Sequence, residues 1–421
     1  FLVDEFSTLP QSLQDIINDE NKRKKLVIYI NPPYAEGDNV RGIGRKDVHV
    51  SKIHSKYQTI MGKASSEMFA QFFTRIYKEI PNSVLAEFST LKILQAPNYS
   101  DFRNFFRAKL EKFFVVPADT FDNVKGDFPI GFFVWDTSKN EIFEKTTADV
   151  YDKKGNFIGT KGITNYDNSK YISNWLEVNS KNISNKYIGH LASVGNDFQN
   201  QRMIFVDNEE KENWKKGGRH TRISAENLIC ASIYFAVRKV IPATWLNDRD
   251  QFLFPLENWK NDTEFQNDCL TYTIFNTNVQ SRFGINHWIP FKENEVNAKE
   301  KFASNFMTDY INGKLKTNNS TNLFDNKTAE DKPLQFSNEA KSVFNAGREL
   351  WLYYNSYNST IPNASLYDIR EFFQGRNEQG RMNAKSDDKK YTELIGELRN
   401  NLNLLADKLK PKVYEYEFLK E

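Results

Sequence analysis

The sequence predicts an α/β fold over its first third, followed by an α+β region and a helical end. Three observations carry this reading. Leu26-Val27-Ile28-Tyr29-Ile30 is a continuous apolar run of strand length, the pattern of a strand covered on both faces of an α/β sheet. Strand-like and helix-like segments then alternate as far as Trp135. From Ser337 to the end apolar residues recur at helical spacing, as in Leu394, Leu398, Leu402 and Leu405.

Taken in order, the run to Ile30 is followed by Asn31-Pro32-Pro33-Tyr34 and then by a polar loop expected from Ala35 to about Lys63. Ser65 or Ser66 is expected to cap a helix whose Met68, Phe69, Phe72, Phe73, Ile76 and Ile80 share one face, with Pro81-Asn82 ending it. Ser83 to Phe88 reads as a strand. Ser100-Asp101 reads as the cap of a helix running through Phe113, and Phe113 to Val116 as a further strand. Gly126-Asp127 turns the chain into a closing strand, Phe128 to Trp135, with Pro129 near its start where a missing N–H is tolerated. From Asp136 to about Gly162 short β-branched pieces with Gly155, Gly159 and Gly162 suggest hairpins. Residues 211–222, "KENWKKGGRHTR", form a basic loop, and Asn227 to Val240 is expected to be a buried helix. Asn312 to Lys332 is polar and poor in large apolar residues. No internal repeat is present.

With 421 residues, 39% of them apolar, the chain can fill the cores of two or three domains. No run approaches the roughly 18 apolar residues of a membrane span, and the start lacks the pattern of a signal peptide, so a cytoplasmic protein with no membrane partner is expected. Cys230 and Cys269 stand far apart with no metal-ligand spacing, so both are read as small buried residues and no metal is expected. A net charge of +2 does not by itself announce a polyanion partner; any nucleic-acid surface must come from local clustering. Aromatic residues make up 14% of the chain, including 34 Phe and 19 Tyr, and most of these rings must pack in the cores.

Asn31-Pro32-Pro33-Tyr34 stands at the carboxyl end of a predicted strand, the place where open α/β sheets bind ligands. An exocyclic amino group on a purine is a poor nucleophile, because its lone pair is delocalised into the ring. Two rigid acceptors, an asparagine side-chain oxygen and a backbone carbonyl, can each take one N–H and orient that lone pair toward an electrophile. Proline at 32 and again at 33 fixes φ, so the Pro32 carbonyl is aimed by covalent geometry. Tyr34 then offers a flat face to a base that has left its duplex.

This motif after an apolar strand resembles that of the amino-directed methyltransferases that use S-adenosylmethionine, above all the DNA adenine-N6 methyltransferases. The resemblance implies that Asn31 and Pro32 accept from the adenine amino group, with Pro33 rigidifying the turn and Tyr34 stacking on the flipped base. "GDFPIGFFVWD", 126–136, is similar to the family's closing strand, where an aromatic residue packs on the other side of the base; Phe128 is the first candidate and Phe132 the second. "WLNDRDQFLFP" (245–255), "FGINHWIPF" (283–291) and "YDIREFFQGR" (367–376) look like C-terminal regions of large bacterial restriction-modification methyltransferases, including single-chain type IIG enzymes. The same tetrapeptide also serves methyltransferases acting on protein glutamine or on guanine in RNA. The implied architecture is a partial Rossmann-like methyltransferase sheet over 1–145, an α+β target-recognition region over 146–335 and a helical region over 336–421, with double-stranded DNA as partner.

The sequence departs from that family in one respect. A complete member carries a glycine-rich cofactor loop and an acidic ribose ligand before NPPY, yet residues 1–30 contain no glycine. Gly42-Ile43-Gly44 follows the motif and no strand precedes it, and Asp4 reads more readily as a surface residue. Cofactor-binding residues are therefore unassigned, and the S-adenosylmethionine site is expected from an upstream segment or another subunit. The chain by itself is expected to methylate poorly. Arg41, Arg45, Lys46 and Lys52 beside the motif, and Lys215, Lys216, Arg219 and Arg222 around Trp214, are candidate phosphate contacts; solvated loops would look the same. The rival reading is a DNA-binding specificity module with a vestigial methyltransferase half.

Overall fold

A computed structural model describes residues 2, 4–33, 51–122, 124, 126–211, 219–315 and 332–420. The chain is mixed α/β and divides into two units, Phe1–Ser169 with Ala243–Gln251, and Lys170–Pro242 with Phe252–Lys420.

The first unit is built on a six-stranded sheet of order β1-β2-β4-β3-β5-β6. Its strands are β1 (Val27–Ile30), β2 (Val84–Thr90), β3 (Ala108–Pro117), β4 (Pro129–Asn140), β5 (Lys145–Tyr151) and β6 (Phe157–Thr164). β1 runs parallel to β2, with Ile30 opposite Glu87. β4 is inserted antiparallel between β2 and β3, placing Phe133 opposite both Glu87 and Phe113. β3 then pairs parallel with β5, and β5 returns antiparallel as β6. The hairpin expected between 136 and 162 is thus present, and it extends this sheet beyond residue 145.

Alternation along the strands assigns the two faces. Leu85, Phe113, Val115, Phe133 and Trp135 point into a core with Phe69, Phe73 and Ile76 of the helix Met68–Glu79. On the opposite face Val116, Ala118 and Ile130 are joined by half-buried Phe88, Phe114, Phe121, Phe128 and Tyr151. Gly131 has no side chain because a Cβ there would lie 2.5 Å from the Phe133 ring and 2.6 Å from Phe113, which stack with centroids 4.5 Å apart.

Several expected boundaries are corrected. β1 is an edge strand that pairs only with β2 among the described residues, and it is not covered on both faces: Val27 is 61% and Tyr29 65% exposed. About a third of the expected polar loop is a helix, Lys52–Met61, because Ser51 Oγ accepts from His54 N at 2.8 Å and donates to buried Gln71 at 2.6 Å. The next helix is capped by neither Ser65 nor Ser66; a 3-10 turn, Gly62–Ser66, leads in, and Glu67 is the N-cap. The helix from Ser100 stops at Phe105 instead of reaching Phe113. There Arg103 pairs with Asp167 and donates to the carbonyls of Ile93 and Ala96, while Phe106 turns into the core and β3 begins at Ala108.

The second unit holds a three-stranded antiparallel sheet, β8-β7-β9, from β7 (Gly189–Ser193), β8 (Ile204–Asp207) and β9 (His220–Ile223). Helices surround a single core: Leu228–Val237, apolar on every side as expected of a buried helix, Thr263–Ile274, Asn338–Asn355 and Lys389–Glu415. Leu394, Leu398, Leu402 and Leu405 are buried in it, together with Ile172 and Ile188. No break in packing therefore separates the segments before and after residue 335. Cys269 is buried and Cys230 partly so, and both are free; burial pushes the Cys230 thiol up to about 12.

Candidate active site and nucleic-acid interface

Asn31, Pro32 and Pro33 continue directly from the carboxyl end of β1, outside any regular element. Pro32 is buried between exposed Asn31 and exposed Pro33. The segment is therefore anchored at its middle residue, with φ fixed by the ring. Tyr34 lies outside the described residues.

The antiparallel insertion of β4 brings the second motif to the same end of the sheet. β4 begins where β2 and β3 finish, with Ile130 opposite Thr90 and Pro129 opposite Pro117. Phe128 precedes that start, half-buried, and its carbonyl accepts from Ala118 N at 3.0 Å. β1 and β4 are separated by β2 alone, so these two strands lie about two spacings, roughly 10 Å, apart across the sheet; Ile30 is level with Phe133 through Glu87, and Phe128 lies five residues further along. Gly126 passes beside Phe128 with φ of +133°, and a Cβ at 126 would lie 2.9 Å from the ring.

Phe132 is placed differently. It lies within the aromatic face, 4.8 Å from Phe88, 5.2 Å from Phe114 in a stacked arrangement and 6.2 Å from Tyr29, measured between ring centroids. Protein rings already surround it on that face.

One residue beside the motif had no signal in the sequence. Glu87, opposite Ile30, is fully buried. Its Oε1 accepts from Trp135 Nε1 at 3.1 Å and from Ser89 Oγ at 3.4 Å, whereas Oε2 has no hydrogen-bond partner among the described residues. Burial holds this carboxyl well above the ordinary carboxylate range.

The basic candidates scatter. Arg41, Arg45, Lys46, Lys215 and Lys216 lie outside the described residues. Lys52 is exposed at the start of its helix, 3.4 Å from Glu5. Arg219 is exposed just before β9, and Arg222 is exposed on β9, so the second unit does bring these two together. Arg222 lies 4.9 Å over the Tyr187 ring and 3.7 Å from Glu210, which also holds His220 at 3.1 Å. No group of three or more His, Cys, Asp or Glu able to hold a metal ion occurs among the described residues, and no helix among them is long and apolar enough to cross a membrane.

No family model matches this chain, and no curated protein matches it. Among solved structures it is similar to one assigned as a modification subunit of a type I restriction enzyme from Vibrio vulnificus YJ016, at 12% identity and a TM-score of 0.23. The match covers 34% of this chain and 34% of that one, so the chain spans about a third of that protein's length in the comparison.

Proposed function

We propose that the chain belongs to an S-adenosylmethionine-dependent DNA adenine-N6 methyltransferase of a restriction-modification system, and that it carries the base-handling motif and the DNA-recognition part. The observation that carries this reading is the convergence of Asn31-Pro32-Pro33 and Phe128 at one end of the sheet, two strands apart. In this reading the Asn31 side-chain oxygen and the Pro32 carbonyl accept the two N–H bonds of an adenine amino group, and the nitrogen lone pair is turned out of the ring plane toward an electrophile. Tyr34 and Phe128 hold the extruded base from its two sides; Phe132 supports the face behind. S-adenosylmethionine would supply the activated methyl group, and no described residue is assigned to hold it.

The cofactor part is proposed to come from a further segment or subunit. The support is β1 itself: an apolar edge strand with exposed Val27 and Tyr29 and no second neighbour among the described residues, the kind of edge that accepts another strand. The Rossmann-like character of the sheet belongs to the same proposal.

The experiment is methyl transfer to duplex DNA by the protein together with its cofactor-binding part. Asn31→Ala should abolish transfer while leaving DNA binding nearly intact; undiminished transfer would remove the catalytic assignment. In parallel, 2-aminopurine at the target adenine should brighten on binding, and the gain should disappear when Tyr34 and Phe128 are replaced. Binding without brightening would favour the specificity module with a vestigial half. Calorimetry of S-adenosylmethionine against the chain alone and together with the proposed cofactor-binding part then asks where the cofactor sits.

A further inference from the structure

β9 is an edge strand: among the described residues it pairs only with β7. Beside it and the segment 173–187 runs a groove of about 820 Å³, within the size range of small-ligand sites. Lys181, Arg219, Arg222 and His220 line this groove together with Tyr187, and Glu177 is the one acidic residue in its lining among the described residues. Lys181, Arg219 and Arg222 suit a polyanionic backbone more than an apolar ligand.

Glu210 gives the groove a second property. Its Oε1 lies 3.1 Å from His220 Nε2 and 3.7 Å from Arg222 Nη2, so one carboxylate oxygen meets two of the lining donors at once. Arg222 is meanwhile held over Tyr187, with Nη1 donating to the phenol oxygen at 3.4 Å. A carboxylate and a phosphodiester both present a pair of anionic oxygens to a guanidinium. The donors are thus oriented before any external anion arrives.

We propose that this groove binds the phosphodiester backbone of duplex DNA, and that Glu210 occupies the anion position until the backbone displaces it. The inference rests on the DNA-directed reading above and adds to it a site and a built-in competitor. Bound DNA takes over the contacts of Arg222 and His220, with Lys181 and Arg219 following the strand along the groove. Glu210 lowers the affinity for any backbone in proportion to what its displacement costs. Non-specific binding is weakened in this way while the donors keep their aim.

The test is fluorescence anisotropy of labelled duplex DNA with the full chain, without cofactor, across a salt series. Arg222→Gln and Lys181→Gln should each weaken binding several-fold and flatten the slope of log K against log salt by about one. Glu210→Gln should tighten binding several-fold. Unchanged affinity and slope in both cation variants would overturn the site, and weaker binding by Glu210→Gln with an unaltered circular dichroism spectrum would overturn the competitor role. Equal competition by an RNA duplex or an acidic peptide would overturn the assignment to DNA. Because no methyl transfer is read, failure of the methyltransferase reading would leave these binding results standing, and failure here would leave the Asn31 result standing.

Discussion

Glu87 shows what one residue can impose on the whole sheet. A carboxylic acid with no exposure and one oxygen unpartnered among the described residues is costly to ionise. Its folded-state pKa lies above its unfolded value, so its contribution to stability is fully present below the unfolded value and is lost as pH rises through the folded one. Glu87→Gln keeps an acceptor for Trp135 and removes the ionisable proton. Thermal melts should show the variant more stable than the parent at alkaline pH, with the gap closing as pH falls below the ordinary carboxylate range; a gap independent of pH would contradict this. At Gly126 the expected outcome concerns the base: Gly126→Ala needs an unfavourable φ of +133° and drives a Cβ into the Phe128 ring. It should reduce 2-aminopurine brightening more than it reduces DNA affinity. The contrast in legibility is physical. Asn31 to Pro33 were readable because their chemistry is contiguous, whereas Glu87 gains its meaning from Trp135, 48 positions along the chain.

At the scale of elements, the sequence was readable where a segment's own apolar residues decide it. The helix Met68–Glu79, the strands β2 and β4 and the final helix follow their apolar spacing. It misled where tertiary partners override local pattern. Nothing local ends the helix at Phe105; the salt bridge from Arg103 to Asp167 spans 64 positions and fixes that end. Edge position was equally hidden, since an apolar run reads alike in the middle of a sheet and at its border. The segment Ala243–Gln251 returns to the first unit, where Trp245 and Leu246 pack on its core and Asp250 meets Lys161 at 2.6 Å and Gln95 at 3.1 Å. Asp250→Ala leaves the largely buried Lys161 without its carboxylate and should cost about 3 kcal/mol. Urea unfolding of the first unit would register it as a lowered midpoint.

At the scale of the molecule, the proposed base-handling motif and the proposed phosphate groove belong to different units. Sites without shared partners have independent energetics, so the double variant Asn31→Ala with Arg222→Gln should bind DNA as Arg222→Gln alone does, within a few tenths of a kcal/mol. Of the candidate DNA contacts, only Arg219 and Arg222 are brought together among the described residues, and their companions Lys181, Tyr187 and Glu210 were not legible because a groove forms between segments that carry no common motif. The return of 243–251 has one more consequence, for inheritance. A recognition region that could be exchanged between related proteins by a single crossover would let new specificities spread as cassettes. Here residues 170–242 and 252–420 flank a piece that belongs to the other core. An exchange that carries 243–251 along from a foreign donor brings a new Asp250 and Trp245 to an old Lys161 and an old sheet. Successful chimeras should therefore retain the resident 243–251, and on the proposed DNA-recognition role variation in specificity should accumulate by point changes on either side of it.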